Sequence, residues 1–484
     1  MNDQLLIFGW LAAIIFSLTI AIPYLMRRSD LLTVWNLFLL GSVNFVGYAA
    51  VQTAKGVYHY GLFTAQDYTR LILGTTVFYI TIYLVYYRSR LPRRMAGKAF
   101  LKWPGYNGTA LGVLLALCIG LLFVSVYFPN IQFIGQILII VGPPAGVIAL
   151  SLAFCRWWQQ KQSLWLLALL GVLLILSIFA AIHGHTGRRS LLSVLLVIPV
   201  CLYWLHLRYR PLVNTLVPLG IGLVVGLIVL EAYTAIRHRN NARLVNVAGT
   251  DSVHDAIESL RLLPSAMLQL RGLTSFIGGD SMEAALVAID RYTKVAPPEP
   301  FFVLKFVLAN PIPRAFWPDK PQALGTTLPR DVGRWRTGYV NWGPGITGHG
   351  FHEGGTLLGG LGPYLMLIFY GVLYGLAFRF GDELLLRQSD NPFVLGIFAA
   401  ASGQIIAFSR GDIALFTVLI LGAVLAGLLI KWLGRLLVGY RLVYPSDADR
   451  LALEQQAMAI PGVNEEPSPY PVPGLQAPSP FATN

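Results

Sequence analysis

Apolar residues run through this chain in blocks of about twenty, with polar residues gathered between them. A helical block of that length crosses a hydrocarbon core of about 30 Å, whereas membrane barrels alternate over segments of about ten residues. The blocks predict spans at about Leu5–Met26, Leu31–Val51, Leu71–Tyr87, Thr109–Phe128, Phe133–Phe154, Leu164–Ile182, Leu191–Leu207 and Leu212–Tyr233. Three more follow at Leu357–Phe378, Phe393–Phe408 and Ile413–Leu433. The expected fold is an all-α integral membrane protein with about eleven transmembrane helices and one long extracytoplasmic loop. Residues 1–233 hold the first eight spans, 234–356 the loop and 357–433 the last three spans. Residues 434–484 form a polar, Pro-rich tail that reads as cytoplasmic and largely disordered.

Charge orients the spans. Asp3 precedes the first block and Arg27 and Arg28 follow it without a small-residue cleavage site, so it reads as a span with its N-terminus outside. Arg88, Arg90, Arg93, Arg94, Lys98 and Lys102 make the most basic short loop, which is expected to be cytoplasmic. Pro143 and Pro144 are expected to kink the fifth span. In the long loop, Asp251–Leu273 and Asp280–Thr293 read as amphipathic helices, the second opening on a capping box from Asp280 to Glu283. Phe301–Ala309 is apolar but too short to span, so it lies at the interface or re-enters.

Composition agrees. Hydrophobic residues are 55% of the chain and charged residues 12%, against about 25% charged in soluble domains. The net charge of +13 reads first as positive charge flanking spans, not as a nucleic-acid surface. Cys118, Cys155 and Cys201 have neither metal-site nor disulfide spacing.

The candidate chemistry sits at the outer ends of spans. Arg188 and Arg189 open the seventh span, Arg410 and Asp412 the eleventh, Arg314 and Lys320 lie in the long loop, and His349, His352 and Glu353 precede the ninth span. Cations in such short external turns run against the positive-inside bias, and a shared anionic ligand gives a reason for them. Arginine pairs with phosphate oxygens at two points and keeps its charge. The bland readings stand beside this one: Arg188 and Arg189 as headgroup anchors, Arg410 paired with Asp412, and Glu353 capping the ninth span. The glycines around His349 and His352 argue against a helix there, and neither a metal site nor a cofactor is expected.

Three stretches resemble the oligosaccharide repeat-unit polymerases, the Wzy-type O-antigen polymerase family of bacterial envelopes. They are Thr186-Gly-Arg-Arg-Ser190, Ile312-Pro-Arg-Ala-Phe-Trp-Pro-Asp-Lys-Pro321, and Glu353 followed by Gly359-Gly-Leu-Gly362, with Arg410 before the last span. Gly354-Gly355 and the doubled arginine depart from the family's pattern. The resemblance implies a GT-C-like, metal-independent glycosyltransferase in the bacterial inner membrane, active on its periplasmic face. It would move a growing glycan from undecaprenyl diphosphate to a sugar hydroxyl of a new lipid-linked repeat unit, with membrane lipid and a chain-length regulator as further partners. Arg188, Arg189, Arg314, Lys320, His349 and Arg410 are then the candidate diphosphate or substrate ligands, and Glu353, with His352 second, the candidate base. A polysaccharide ligase shares this plan. A flippase of lipid-linked sugars predicts charges deep inside several spans, where this sequence has few.

Overall fold

The computed structural model describes residues 2–56, 63–98, 108–128, 135–160, 163–183, 188–222, 281–332 and 342–437, with isolated positions between 224 and 261. All regular structure among them is helical. The chain begins with α1 (Asn2–Leu25), α2 (Val34–Ser42), a π-helical stretch (Val43–Tyr48) and α3 (Ala49–Ala54). It continues through α4 (Ala65–Arg88), α5 (Leu91–Lys98), α6 (Gly108–Tyr127), α7 (Gly135–Gln159), α8 (Leu164–His183) and α9 (Arg188–Leu205). The apolar helix α10 (Leu212–Gly222) follows. Then come α11 (Ser281–Lys294), α12 (Phe302–Ala309), α13 (Leu324–Asp331), α14 (Gly345–Gly354), α15 (Gly362–Arg387), α16 (Pro392–Ala407) and α17 (Ile413–Leu437).

Among the described residues, 8 helices are long and apolar enough to cross a membrane, and Arg189–Leu205, Leu212–Gly222 and Pro392–Ala407 are apolar but shorter. Large apolar side chains stay exposed along these helices, among them Ile7, Leu11 and Ile14 on α1 and Ile80 and Leu84 on α4. Apolar faces of that extent mark contact with lipid, and the protein is membrane-embedded.

Several expectations change at this level. The ninth span begins at Gly362, not Leu357, because Leu358, Gly359 and Gly360 have φ of 52°, 65° and 91°, which no α-helix continues. The basic loop after the third span contains α5. α11 forms where the amphipathic pattern placed a helix; it is buried at every residue from Ser281 to Ile289, packs against α14 and α4, and turns only its last residues toward the surface. The proposed helix Asp251–Leu273 apart from Arg261, the capping residue Asp280 and the tail beyond Leu437 lie outside the described residues, and 434–437, expected in the tail, continue α17.

Buried polar contacts set the order of the helix ends. Asp382, near the end of α15, accepts hydrogen bonds from the amides of Val34 (2.6 Å) and Trp35 (3.2 Å) and from the Tyr86 hydroxyl (2.6 Å). Arg208 pairs with Asp30 at 2.8 Å. One end of the bundle therefore gathers the α1–α2 turn, the end of α4, α5 and the end of α15. At the other end the Ser409 hydroxyl meets those of Ser42 (2.8 Å) and Tyr79 (3.0 Å). There, too, the widened ladder of the π stretch leaves the Phe45 carbonyl to accept from Ser281 at 2.8 Å. Between the ends, Phe38 packs on Phe378 at 5.0 Å and Tyr374 on Phe408 at 4.7 Å, locking α2, α15 and α16 together.

Asp382 takes up two of the amides that the start of α2 leaves free. Replacing it with alanine strands those donors and the Tyr86 hydroxyl in the interior. The expected cost of Asp382→Ala is about 2–4 kcal/mol, read as a lower thermal midpoint in detergent. Asp382→Asn, which keeps an acceptor oxygen, is expected to lose less. Equal midpoints for wild type and Asp382→Ala would reject the anchoring role.

Candidate functional site

The centre of the candidate site is α14, every residue of which is buried. Its sequence, Gly345-Ile-Thr-Gly-His-Gly-Phe-His-Glu-Gly354, is a poor helix former, each glycine costing about 1 kcal/mol relative to alanine. The glycines were expected to keep this stretch out of a helix; packing reverses that. A Cβ at Gly348 would lie 2.5 Å from Pro344 Cβ, and one at Gly350 would lie 2.5 Å from Leu367 Cγ. Only a bare helix face fits so close to α15, and the burial it gains outweighs its weak propensity. The one-turn spacing then sets His349 and Glu353 in register, with His352 beside them.

Glu353 is wholly buried. Its Oε1 accepts the Val303 amide of α12 at 3.2 Å, and its Oε2 accepts the Tyr370 hydroxyl of α15 at 2.6 Å. It does not cap the ninth span. Burial raises its pKa to about 7, although the Tyr370 hydroxyl, the nearby His349 ring and the Val303 amide all favour the charged form.

His349 is also wholly buried, and its Nε2 lies 3.3 Å from Asp412 Oδ1, off the line of a hydrogen bond. Neither of its ring nitrogens has a hydrogen-bond partner among the described residues. Asp412 is an N-cap as well. Its Oδ1 accepts the amides of Ala414 (3.1 Å) and Leu415 (3.2 Å), and its Oδ2 accepts that of Gly325 (2.9 Å). Burial pushes the Asp412 carboxyl up, but His349 and the Gly325 and Leu415 amides outweigh it and hold the pKa below the usual carboxylate range. His352 Nε2 stands 3.8 Å from Glu299 Oε1, too far for a hydrogen bond, and its Nδ1 has no partner. The Tyr292 and Phe302 rings pack on it at 4.5 Å and 4.6 Å, and burial lowers its pKa.

The cations are spread more widely. The Arg189 guanidinium lies 4.0 Å from the centre of the Phe416 ring, one turn beyond Asp412 on α17. That of Arg410 lies 5.6 Å from the Phe45 ring. Arg188 opens α9, but its side chain lies outside the described residues. Arg314 is exposed and donates to the Pro318 carbonyl at 2.9 Å. Lys320 is buried and spends its ammonium on the carbonyls of Asn310 (3.0 Å) and Ile312 (2.9 Å), folding the Pro-rich loop onto itself. His349, His352 and Glu353 thus gather on α14, Arg189 and Arg410 lie at the same end of the bundle, and Arg314 and Lys320 belong to a separate loop.

Between the π stretch, α4, α11 and the start of α14 lies a gap of about 10 Å³, lined by the hydroxyl-bearing residues Thr75, Tyr79, Ser281, Thr347 and Ser409 and by Val46, Met282 and Ala285. Sequence reasoning placed Asp412 beside Arg410 and gave it no part in the site. An acid just before an apolar run does signal an N-cap, but nothing in the sequence signals its pairing with His349. No protein-family model, curated protein or solved structure matches this chain.

Glu353 makes stability depend on pH. The unfolded chain ionises it near 4.5 and the folded chain near 7. Stability from the protonated group is therefore full below pH 4.5, falls as pH rises toward about 7, and stays low above that. The span is worth about 3 kcal/mol. Thermal midpoints of purified protein from pH 4.5 to 8 are expected to show this decline, and Glu353→Gln is expected to flatten it. Parallel curves for the two proteins would show that the slope comes from other groups.

Proposed function

We propose that this chain is a membrane glycosyltransferase of the repeat-unit polymerase kind, acting on a glycan carried by undecaprenyl diphosphate. The observation that carries the reading is the buried pair of His349 and Asp412, 3.3 Å apart, at the end of the bundle that also holds Arg189 and Arg410. The resemblance of the segments around Arg188, Arg314 and Glu353 supplies the substrate class.

In this reading the oxygen of an acceptor sugar hydroxyl attacks the anomeric carbon of the lipid-linked glycan. The bond from that carbon to the diphosphate breaks, and the diphosphate leaves with the electron pair. The hydroxyl proton passes to His349 Nδ1, and Asp412, facing Nε2, stabilises the imidazolium that forms. His349 serves better than Glu353, because Val303 and Tyr370 already occupy both Glu353 oxygens. The Phe302 ring lies 6.2 Å from that of His349, so substrate access calls for a shift of α12. Arg189 and Arg410, at the same end of the bundle, would supply the fixed positive charge that the departing diphosphate needs in a site of low dielectric. About eleven spans follow if α9, α10 and α16 also cross the membrane. The positive-inside rule then puts the Arg88–Lys98 end in the cytoplasm and α14 on the periplasmic side.

The test is synthesis of polymer by membranes supplied with a defined lipid-linked repeat unit. His349→Ala is expected to lower polymer formation by about 10²–10⁴-fold and to leave single repeat units on the lipid. Arg410→Ala is expected to do the same, with both proteins keeping their thermal midpoints. Unchanged polymer length in His349→Ala would reject the role of the pair. Long unattached polymer in cells carrying that variant would identify a ligase instead.

A further inference from the structure

The opposite end of the bundle carries an arrangement that this function does not use. Three guanidiniums converge on one carboxylate. Glu383 Oε1 lies 3.3 Å from Arg93 Nε and 2.5 Å from Arg379 Nη2, and its Oε2 lies 3.9 Å from Arg387 Nε. The Glu383 side chain is only 9% exposed, whereas those of Arg93 and Arg387 are 44% and 40% exposed. The acid is thus enclosed with Arg379, whose side chain is 18% exposed, while Arg93 and Arg387 face outward. The neighbouring Asp382 offsets one further charge, but its oxygens are committed to Val34, Trp35 and Tyr86. Residues 88–98 add four more cations, Arg88, Arg90, Arg94 and Lys98, and no acid.

This cluster is held in place before any ligand arrives. Arg379 lies 5.3 Å from the Tyr86 ring, which is itself stacked on Trp35 at 4.4 Å. On α5, Pro92 and Ala96 are buried while Leu91 and Met95, one turn apart, are exposed. α5 packs against α15. A short helix with an inward small-residue face and an outward face mixing apolar and basic residues is built to lie in the membrane interface. Exposed Tyr83 and Tyr87 at the end of α4 supply the aromatic rings that favour headgroup depth.

We propose that Arg93, Arg379 and Arg387 form a binding site for the phosphate of an anionic lipid headgroup, with Leu91 and Met95 set among its acyl chains. Charge complementarity selects the occupant: the cluster has an uncompensated positive charge, and its open side continues into the lipid-facing surfaces of α4 and α15. Glu383 holds the three guanidiniums apart at fixed spacing and competes with the phosphate for them. The proposal does not depend on the transferase reading.

The test uses delipidated full-length protein in detergent, titrated with phosphatidylglycerol or phosphatidylcholine and followed by native mass spectrometry. Each lost guanidinium is expected to weaken phosphatidylglycerol binding by about fivefold, so Arg93→Gln with Arg387→Gln is expected to weaken it by about 25-fold. Phosphatidylcholine binding is expected to stay the same. Glu383→Gln removes the competing charge and is expected to tighten phosphatidylglycerol binding, a change that loss of folding does not produce. Equal phosphatidylglycerol uptake by wild type and the double variant would overturn the site. Displacement of the lipid by inorganic phosphate at the lipid's own concentration would overturn the assignment to a headgroup, since the anchoring chains would then contribute nothing.

Discussion

An acid buried without a full counter-charge constrains this fold more than any other contact described here. Glu353 is wholly enclosed, and an ionised carboxylate in such a place is costly. The chain answers with two donors from distant segments, the Val303 amide and the Tyr370 hydroxyl. Those two bonds join α12 and α15 to α14 through one side chain. They do not cancel the burial, as the pKa near 7 shows. The three helices are therefore joined by a group whose charge is unsettled near neutral pH.

Asp412 solves the same problem differently. It is buried like Glu353, yet it stays ionised because three backbone amides and the His349 ring surround it. Two of those amides belong to the unfilled first turn of α17, where a helix carries partial positive charge. The third brings in Gly325 at the start of α13. The two acids thus stand on either side of His349 with opposite tendencies, one keeping its proton near neutrality and the other losing it well below.

The apolar blocks were legible because the period and length of a lipid-facing helix are written locally. Each expected span from Leu5 to Ile413 overlaps an apolar helix of the structure. The failures came where tertiary packing overrides local preference. Glycines in α14 looked like helix breakers, but Gly350 and Gly354 are there because Leu367 and Pro363 of α15 leave no room for a Cβ. α11 does form where its amphipathic pattern placed a helix, though burial covers both of its faces over Ser281–Ile289. α5 was hidden by its charge, although Leu91 and Met95 one turn apart were a usable signal. Of the candidate residues, those on α14 were found by their chemical type. The partner Asp412 lay beyond reach, since a contact between α14 and the start of α17 leaves no local mark.

The distribution of charge bears on how such a chain can act on an anion. At the α14 end, Arg189 and Arg410 each rest near an aromatic ring, Phe416 and Phe45. A ring face beneath a guanidinium stabilises its charge. Lys320 differs: both of its hydrogen bonds close its own loop, and moving it to a ligand would unfold that loop. Resemblance in sequence weighs Arg314 and Lys320 most heavily, because they lie in its most specific stretch. The contacts shift that weight toward Arg189 and Arg410, which stand near His349 and Asp412 at the one end of the bundle where the proposed reaction has both a proton acceptor and cations to offer.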